Sequence, residues 1–131
     1  MKMAAIGGGA LGFTRGFVRD VLSVPELQKD TEVVLHDIDP VTLGHTVEVV
    51  RQEMAANGLN PKNLRGTLNR REALKDAKYI FCAVRIGGFG AFQQDVDIPL
   101  KYGVDQCVGD TLCAGGIMYA QRTIAALLEF C

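Results

Sequence analysis

Short apolar runs alternate with stretches of helical periodicity along this chain. The apolar runs predict strands over 3–6, 32–36, 64–68 and 79–84. Apolar spacings of three and four predict helices over 11–22, from Pro40 to about Asn57, over 70–74, over 95–102, and from Ile117 to the last residue. This alternation predicts an α/β fold with a doubly wound parallel sheet, and right-handed crossovers give the strand order 3-2-1-4. The fourth strand, almost wholly apolar, is expected to be covered on both faces.

A glycine pattern of the form GxGxxG follows the first strand directly, as Gly7-Gly8-Gly9-Ala10-Leu11-Gly12. This order of strand, glycines and helix is typical of a Rossmann-like nucleotide site. In that interpretation Gly7 allows a sharp turn, Gly9 lets the backbone approach a pyrophosphate, and Gly12 lets the helix pack on the strand. The helix that follows would face the phosphates with its free amides and the positive end of its dipole. The pattern predicts that the chain binds a dinucleotide.

A carboxylate, Asp37, ends the second strand. At this position it accepts hydrogen bonds from both hydroxyls of an adenosine ribose, which favours NAD over its phosphorylated relative. The alternative is that Asp37 or Asp39 only caps the next helix, because Asp39-Pro40 is a good N-cap and N1 pair. We favour Asp37 at the ribose and Asp39 at the cap.

A second glycine-rich segment, Arg85-Ile86-Gly87-Gly88-Phe89-Gly90, follows the fourth strand. It is predicted to form a loop over the cofactor, because ligands of open α/β folds bind at the carboxyl ends of the strands. Arg85 fits two roles equally well on position alone. It would either contact a phosphate or an anionic substrate, or remain solvated at the mouth of the loop.

Length and composition favour a single cofactor domain over 1–131. With 48% hydrophobic residues the chain can form an ordinary core. A net charge of −1 with scattered lysines and arginines indicates neither nucleic acid nor a membrane surface as partner. No apolar run approaches the roughly 18 to 20 residues of a membrane span, and no signal-peptide pattern begins the chain. A cytoplasmic location is therefore expected.

The four cysteines and two histidines predict no metal site. Cys82, Cys107, Cys113 and Cys131 show no CxxC spacing and no histidines at metal-ligand intervals. Cys82 is interpreted as a small hydrophobe within a strand. Cys107 and Cys113 flank Asp110, but no histidine lies nearby in the sequence to activate them. His36 and His45 are interpreted as structural.

Taken in order, these segments resemble the N-terminal part of the NAD- and divalent-metal-dependent glycosidases of glycoside hydrolase family four. The resemblance covers the whole chain and rests on these segments: 6–9 with Phe13-Thr14, 35–39, 70–74, 77–80, 85–88, 98–103, 109–112, 115–117 and 122–124. The form Gly109-Asp110-Thr111 resembles the α-galactosidase and α-galacturonidase branch, rather than the phospho-glycosidases.

The resemblance implies a glycosidase that does not use the usual pair of carboxylates. In such enzymes NAD takes hydride from C3 of the sugar, a tyrosine removes the acidified C2 proton, and the glycosidic bond leaves by elimination. Water then adds and hydride returns to C3. A divalent metal, typically Mn²⁺, polarises the C2 and C3 oxygens. The implied substrate is a small-molecule glycoside, and the implied full-length protein is a homo-oligomer.

The resemblance also assigns site residues. Asp110 is carried over as a substrate contact, although as a turn residue it also fits an ordinary turn carboxylate. Catalytic residues and metal ligands are expected beyond residue 131, so this chain alone is expected to be inactive and to stop before the last strands and the substrate domain. The residues carried over as cofactor contacts are Gly7, Gly9, Leu11, Gly12, Phe13, Asp37, Ile38, Asp39, Ala83, Val84 and Arg85.

Some features leave alternatives open. Where relatives have Gly-Pro-Gly-Gly, this chain has Cys113-Ala114-Gly115-Gly116, and Cys113 would be strained if the position requires a positive φ. Two other classes stay open: a non-catalytic NAD-binding module or fragment, and a dehydrogenase of the lactate and malate type. The dehydrogenase would need an arginine-bearing substrate loop, which Arg85-Ile86-Gly87-Gly88 matches poorly.

Overall fold

The computed structural model describes residues 1–106 and 112–131. These residues form two compact units, Met1–Ala83 and Val84–Cys131. Within the described ranges, no helix combines the length and the apolar character that crossing a membrane requires.

The first unit contains a four-stranded parallel sheet. Its strands are β1 (Lys2–Ile6), β2 (Glu32–His36), β3 (Leu64–Thr67) and β4 (Tyr79–Cys82), in the order β3-β2-β1-β4. The predicted fold class and strand order are confirmed. Ile6 pairs with His36 on one side and with Cys82 on the other, so the carboxyl ends of β1, β2 and β4 lie level.

The connections of the first unit are mostly helical. They are α1 (Leu11–Leu22), α2 (Pro25–Gln28), α3 (Pro40–Ala56), a 3-10 turn (Pro61–Asn63) and α4 (Arg70–Leu74). α1 and α3 pack on the same face of the sheet, since their buried residues form one core with residues of β1, β2 and β3. Val33 and Leu35, two apart in β2, lie on this face together. The core they form consists of Ala5, Val18, Leu22, Val33, Leu35, Leu43, Val50, Met54 and Leu64.

Asp39 caps α3, as predicted. Its Oδ1 accepts a hydrogen bond from the amide of Val41 at 2.9 Å, and its Oδ2 accepts one from the hydroxyl of Thr42 at 2.6 Å. The Thr42 hydroxyl, followed by the Val41 amide, lowers the pKa of Asp39 below its ordinary value of 3.8. Pro40 at the first helical position suits the cap, since its missing N–H would have had no partner there.

Replacing Asp39 with alanine is expected to lower Tm at pH 7 and to have less effect in acid. Because the pKa is lower in the folded state, the ionised carboxylate stabilises the fold above its ordinary pKa, and that stabilisation is lost as the pH falls through the folded pKa. Thermal unfolding of both proteins from pH 7 to about pH 3 measures this. Asp39→Asn, which keeps an acceptor, is the control. An equal Tm difference at both ends of the range would contradict the capping role.

The fourth strand differs from its prediction. It ends at Cys82 rather than at residue 84, and Tyr79 and Ile80 are 52% and 56% exposed. Among the residues that the structure describes, β4 is therefore not covered on both faces. β4 lies at the edge of the sheet beside β1. Its apolar composition alone does not show whether its side chains are buried. Cys82 lies within this strand, as predicted, and is exposed there.

The described residues of the second unit form two helices, α5 (Gly88–Lys101) and α6 (Ala114–Leu128). The predicted helix over 95–102 begins much earlier, because Gly87 adopts a φ of 87° and acts as its N-cap. Half of the predicted glycine-rich loop is therefore helix. Gly103, at φ 71°, follows the end of α5 as predicted.

α6 also differs from its prediction at both ends. It includes Gly115 and Gly116, whereas the predicted helix begins at Ile117, and it ends at Leu128 rather than at the last residue. Cys113 is its N-cap, with an extended backbone at φ −114° and ψ 173°. The strain expected of a cysteine at positive φ therefore does not arise.

An ion pair joins the two helices of the second unit. The buried carboxylate of Asp95 in α5 accepts hydrogen bonds from both terminal nitrogens of the Arg122 guanidinium in α6, at 2.9 Å for Nη1. The Nε of Arg122 lies 3.4 Å from the carbonyl oxygen of Ile86. Sequence reasoning missed this pair, because neither residue stands in a motif with the other.

Candidate functional site

The glycine turn joins β1 to α1 and remains bonded to β2. Gly7 adopts a φ of 83°, which confirms its predicted role in a sharp turn. The amides of Gly7 and Gly8 both donate to the carbonyl oxygen of His36, at 2.9 and 2.8 Å. The amide of Ala10 closes the turn on the carbonyl of Gly7 at 3.1 Å.

Close packing on the sheet occurs at Gly8 rather than at Gly12. A Cβ added at Gly8 would lie 2.8 Å from the Cβ and 3.2 Å from the Cα of Leu35. A Cβ added at Gly12 would have no described heavy atom within 4 Å. The interpretation of Gly12 as the packing glycine is therefore wrong. The sequence does show three consecutive glycines, but the GxGxxG motif treats Gly8 as a variable position and so assigns it no role.

The carboxylate of Asp37 lies beside the glycine turn. Its Oδ2 accepts a hydrogen bond from the amide of Gly9 at 2.8 Å. Its Oδ1 accepts from the amides of Ile38 at 2.8 Å and Asp39 at 3.1 Å. A Cβ at Gly9 would lie 2.7 Å from Oδ2, so glycine is required here for the carboxylate to approach. The structure thus brings together the two motifs that the sequence placed far apart.

The N-terminus of α1 lies directly after the same turn. Its N-cap is Ala10, whose side chain makes no capping hydrogen bond. The first amides of an α-helix have no partner within the helix, so those of Leu11, Gly12 and Phe13 face outward with the positive end of the dipole. Two exposed apolar residues belong to these segments: Phe13, in the first turn of α1, is 71% exposed, and Ile38, next to Asp37, is 89% exposed. The arrangement suits an anion with an attached flat ring.

The segment after β4 was predicted to contact the cofactor. In the first unit, the amide of Ala83 donates to the carbonyl of Ile6 at 2.8 Å, which places Ala83 at the carboxyl end of β1. In the second unit, the Tyr119 hydroxyl donates to the carbonyl of Val84 at 2.7 Å.

Arg85 is held within the second unit. Its guanidinium carbon lies 4.7 Å from the ring centre of Phe92 and 5.1 Å from that of Tyr119. Both distances fall within the range of a cation–π interaction. The structure therefore places the charge of Arg85 on aromatic rings, an arrangement that neither sequence interpretation of this residue included.

The remaining predicted residues contribute less to the site. Asp110 and Cys107 lie outside the described residues. His36 is buried, and its Nδ1 lies 3.1 Å from the carbonyl oxygen of Thr67, as suits a structural histidine. Cys113 and Cys131 are free cysteines. Within the described ranges, no three histidine, cysteine or acidic side chains lie together in a way that could hold a metal ion.

Comparison with known protein families decides the family. The family 4 glycosyl hydrolases match residues 2–131. The chain belongs to glycosyl hydrolase family 4. The resemblance drawn from the glycine turn, the Asp37 segment and the later motifs is confirmed.

The individual proteins to which the chain is similar are glycosidases. An α-galactosidase of Rhizobium meliloti (strain 1021) is 49% identical over 130 residues, which cover 99% of this chain and 26% of the relative. The 6-phospho-β-glucosidase of Thermotoga maritima, solved with manganese, NAD⁺ and glucose-6-phosphate, is 28% identical with a TM-score of 0.81. A 6-phospho-α-glucosidase from gut microorganisms, solved with NAD and glucose-6-phosphate, is 32% identical with a TM-score of 0.80.

The chain spans only part of the length of these relatives. The matches to the two solved structures cover 99% and 98% of this chain, but 30% and 28% of the relatives. The family match and the Rossmann-like sheet therefore concern these 131 residues, and not the remaining length of the relatives.

Proposed function

We propose that this chain is the NAD-binding part of an NAD- and divalent-metal-dependent glycosidase, most similar in activity to an α-galactosidase. The observation that carries the proposal is the carboxylate of Asp37 at 2.8 Å from the amide of Gly9, beside an α1 N-terminus without a side-chain cap. Family membership and the 49% identity to an α-galactosidase support the substrate class.

The residues of the first unit fit NAD. The outward amides of Leu11, Gly12 and Phe13 would bind the pyrophosphate, because they combine free donors with the helix dipole. Asp37 would accept the ribose hydroxyls. Three backbone amides already use three of its roughly four acceptor sites, so one site on Oδ2 is open, and binding both hydroxyls would require one of those backbone bonds to give way. Ile38 offers an exposed apolar surface for the adenine ring. NAD bound here supplies reversible hydride transfer at the sugar.

Further contacts extend the proposed site. Ala83 is proposed as a cofactor contact, because its amide bonds the carbonyl of Ile6 at the end of β1. Val84 and Arg85 are proposed as cofactor contacts from the family resemblance alone. Asp39 would contribute from the cap of α3. Asp110 is proposed as a substrate contact. The divalent metal is proposed as Mn²⁺, because the Thermotoga maritima relative was solved with manganese. The described residues contain no cluster of side chains that could bind it.

The proposal extends to the whole protein. Its substrate would be a small-molecule glycoside, and it would be a homo-oligomer with no nucleic acid or membrane partner. A cytoplasmic location follows from the proposed use of NAD, a cofactor that cells recycle internally. The non-catalytic NAD-binding module is the alternative that the following experiment separates.

Solvent exchange at C2 tests the glycosidase function. The full-length protein is assayed in ²H₂O with NAD, Mn²⁺ and an α-galactoside. We expect deuterium at C2 of the released galactose, because removal of the C2 proton precedes elimination. We also expect no release of sugar from the NAD-free protein. Sugar released without deuterium would contradict the elimination mechanism, and NAD binding without any release would favour the non-catalytic module.

A further inference from the structure

Two buried threonine hydroxyls hold the glycine turn from the interior. Thr14 of α1 donates from Oγ1 to the carbonyl of Gly8 at 2.9 Å. Thr46 of α3 donates from Oγ1 to the carbonyl of Gly9 at 3.0 Å. The two threonines are 3% and 1% exposed, so these bonds lie away from water. A buried carbonyl needs such a partner.

Each peptide of the turn is consequently bonded at both ends. The Gly8–Gly9 peptide has its carbonyl on Thr14 and its N–H on Asp37. The Gly9–Ala10 peptide has its carbonyl on Thr46 and its N–H on Gly7. Because a peptide is planar and its C=O and N–H point in opposite directions, bonds at both ends prevent its rotation.

Thr46 connects this turn to the segment that carries the carboxylate. α3 begins at the cap Asp39, two residues beyond Asp37, and Thr46 stands two turns further along the same helix. One rigid helix thus holds the Asp37 segment at its start and the carbonyl of Gly9 near its middle. The helix therefore links Gly9, through its carbonyl, to the segment that carries Asp37.

We propose that Thr46 is a positioning residue of the nucleotide site. By bonding the carbonyl of Gly9, it fixes the peptide that leads into α1, and so aims the first amides of α1 and keeps the amide of Gly9 on Asp37. This inference rests on the proposed NAD function, but its structural part concerns the ligand-free protein. Thr46 itself touches no ligand in this proposal.

Two variants separate the hydroxyl from the shape of the side chain. Thr46→Val keeps the volume and removes the donor, whereas Thr46→Ser keeps the donor. We expect the Kd for NAD, measured by calorimetry, to rise roughly 3- to 10-fold for valine, the effect of one hydrogen bond, and to stay within about twofold for serine. Thr46→Ala is expected to behave as valine does, and replaces it if the valine variant does not fold.

A purely structural role gives a different result. It predicts a lower Tm for Thr46→Val with an unchanged Kd for the folded protein, and that outcome would overturn the inference. A serine variant as weak as the valine variant would also overturn it, since the methyl group would then be responsible.

Amide spectra of the ligand-free protein make the test independent of NAD. In ¹H–¹⁵N spectra we expect the signals of Gly9 and Ala10 to shift in Thr46→Val and to stay in place in Thr46→Ser. Unshifted signals in both variants would overturn the positioning role. If the Thr46→Val variant shows these shifts but the wild-type protein does not bind NAD, the proposed function is refuted and the positioning role of Thr46 in the turn still holds.

Discussion

Gly8→Ala is expected to destabilise the first unit by about 1–3 kcal/mol, the typical cost of forcing an added group into a packed interior. The new Cβ would lie 2.8 Å from the Cβ of Leu35, which is 0% exposed. The neighbouring atoms belong to the backbone and Cβ of a central strand, so they have no flexible end that could move aside. Relief requires the turn to leave β2, which breaks the 2.8 Å bond from Gly8 to His36.

Urea unfolding of the wild type and the variant measures this effect. Gly16→Ala is the matched control: Gly16 lies in α1, and its added Cβ meets no described heavy atom within 4 Å. Alanine in a helix interior is favoured over glycine by up to about 1 kcal/mol, so the control should be neutral or stabilised. Equal midpoints for the two variants would show that Gly8 does not pack on β2 as described.

Asp37→Ala is expected to weaken NAD binding by roughly 10- to 100-fold and to reduce the preference for NAD over NADP. Hydrogen bonds to a charged group contribute about 1.5–3 kcal/mol, which corresponds to this range. The variant loses the acceptor of the ribose hydroxyls and also the partner of the Gly9 amide. NADP should lose less affinity, because the 2′-phosphate no longer faces a carboxylate.

Calorimetric titration of both nucleotides into the protein and its variant checks this prediction. Asp20→Ala is the control, since Asp20 is exposed near the end of α1 and, among the contacts described, its carboxylate pairs only with its neighbour Arg19. Asp37→Asn removes the charge and keeps an acceptor, so it should fall between the wild type and alanine. An unchanged ratio of the two nucleotide affinities in Asp37→Ala would refute the ribose role.

Local patterns predicted the elements of the first unit well. α1 spans Leu11–Leu22 as predicted, and Asp39 caps α3 as its pairing with Pro40 indicated. Periodicity and capping depend on residues within a few positions of one another, so they can be recognised from the sequence alone. The strand order followed as well, because crossover handedness leaves few arrangements.

Predictions that depended on distant neighbours were less successful. The edge position of β4 leaves Ile80 exposed despite its apolar sequence. The helix α5 begins at Gly88 because Gly87 adopts a positive φ, and glycine composition alone does not separate a loop from such a cap. The packing role assigned to Gly12 belongs to Gly8, since packing depends on which atoms of β2 lie opposite.

The doubly wound sheet, the glycine turn before α1 and the carboxylate at the end of β2 can all be recognised in the amino-acid sequence, because each is a local pattern of residue types. How these parts meet is visible only in the folded chain. The bond from Gly9 to Asp37 spans 28 residues, and that from Thr46 to Gly9 spans 37. Such contacts depend on the geometry with which helix and strand pack, and no short-range pattern of residues encodes them.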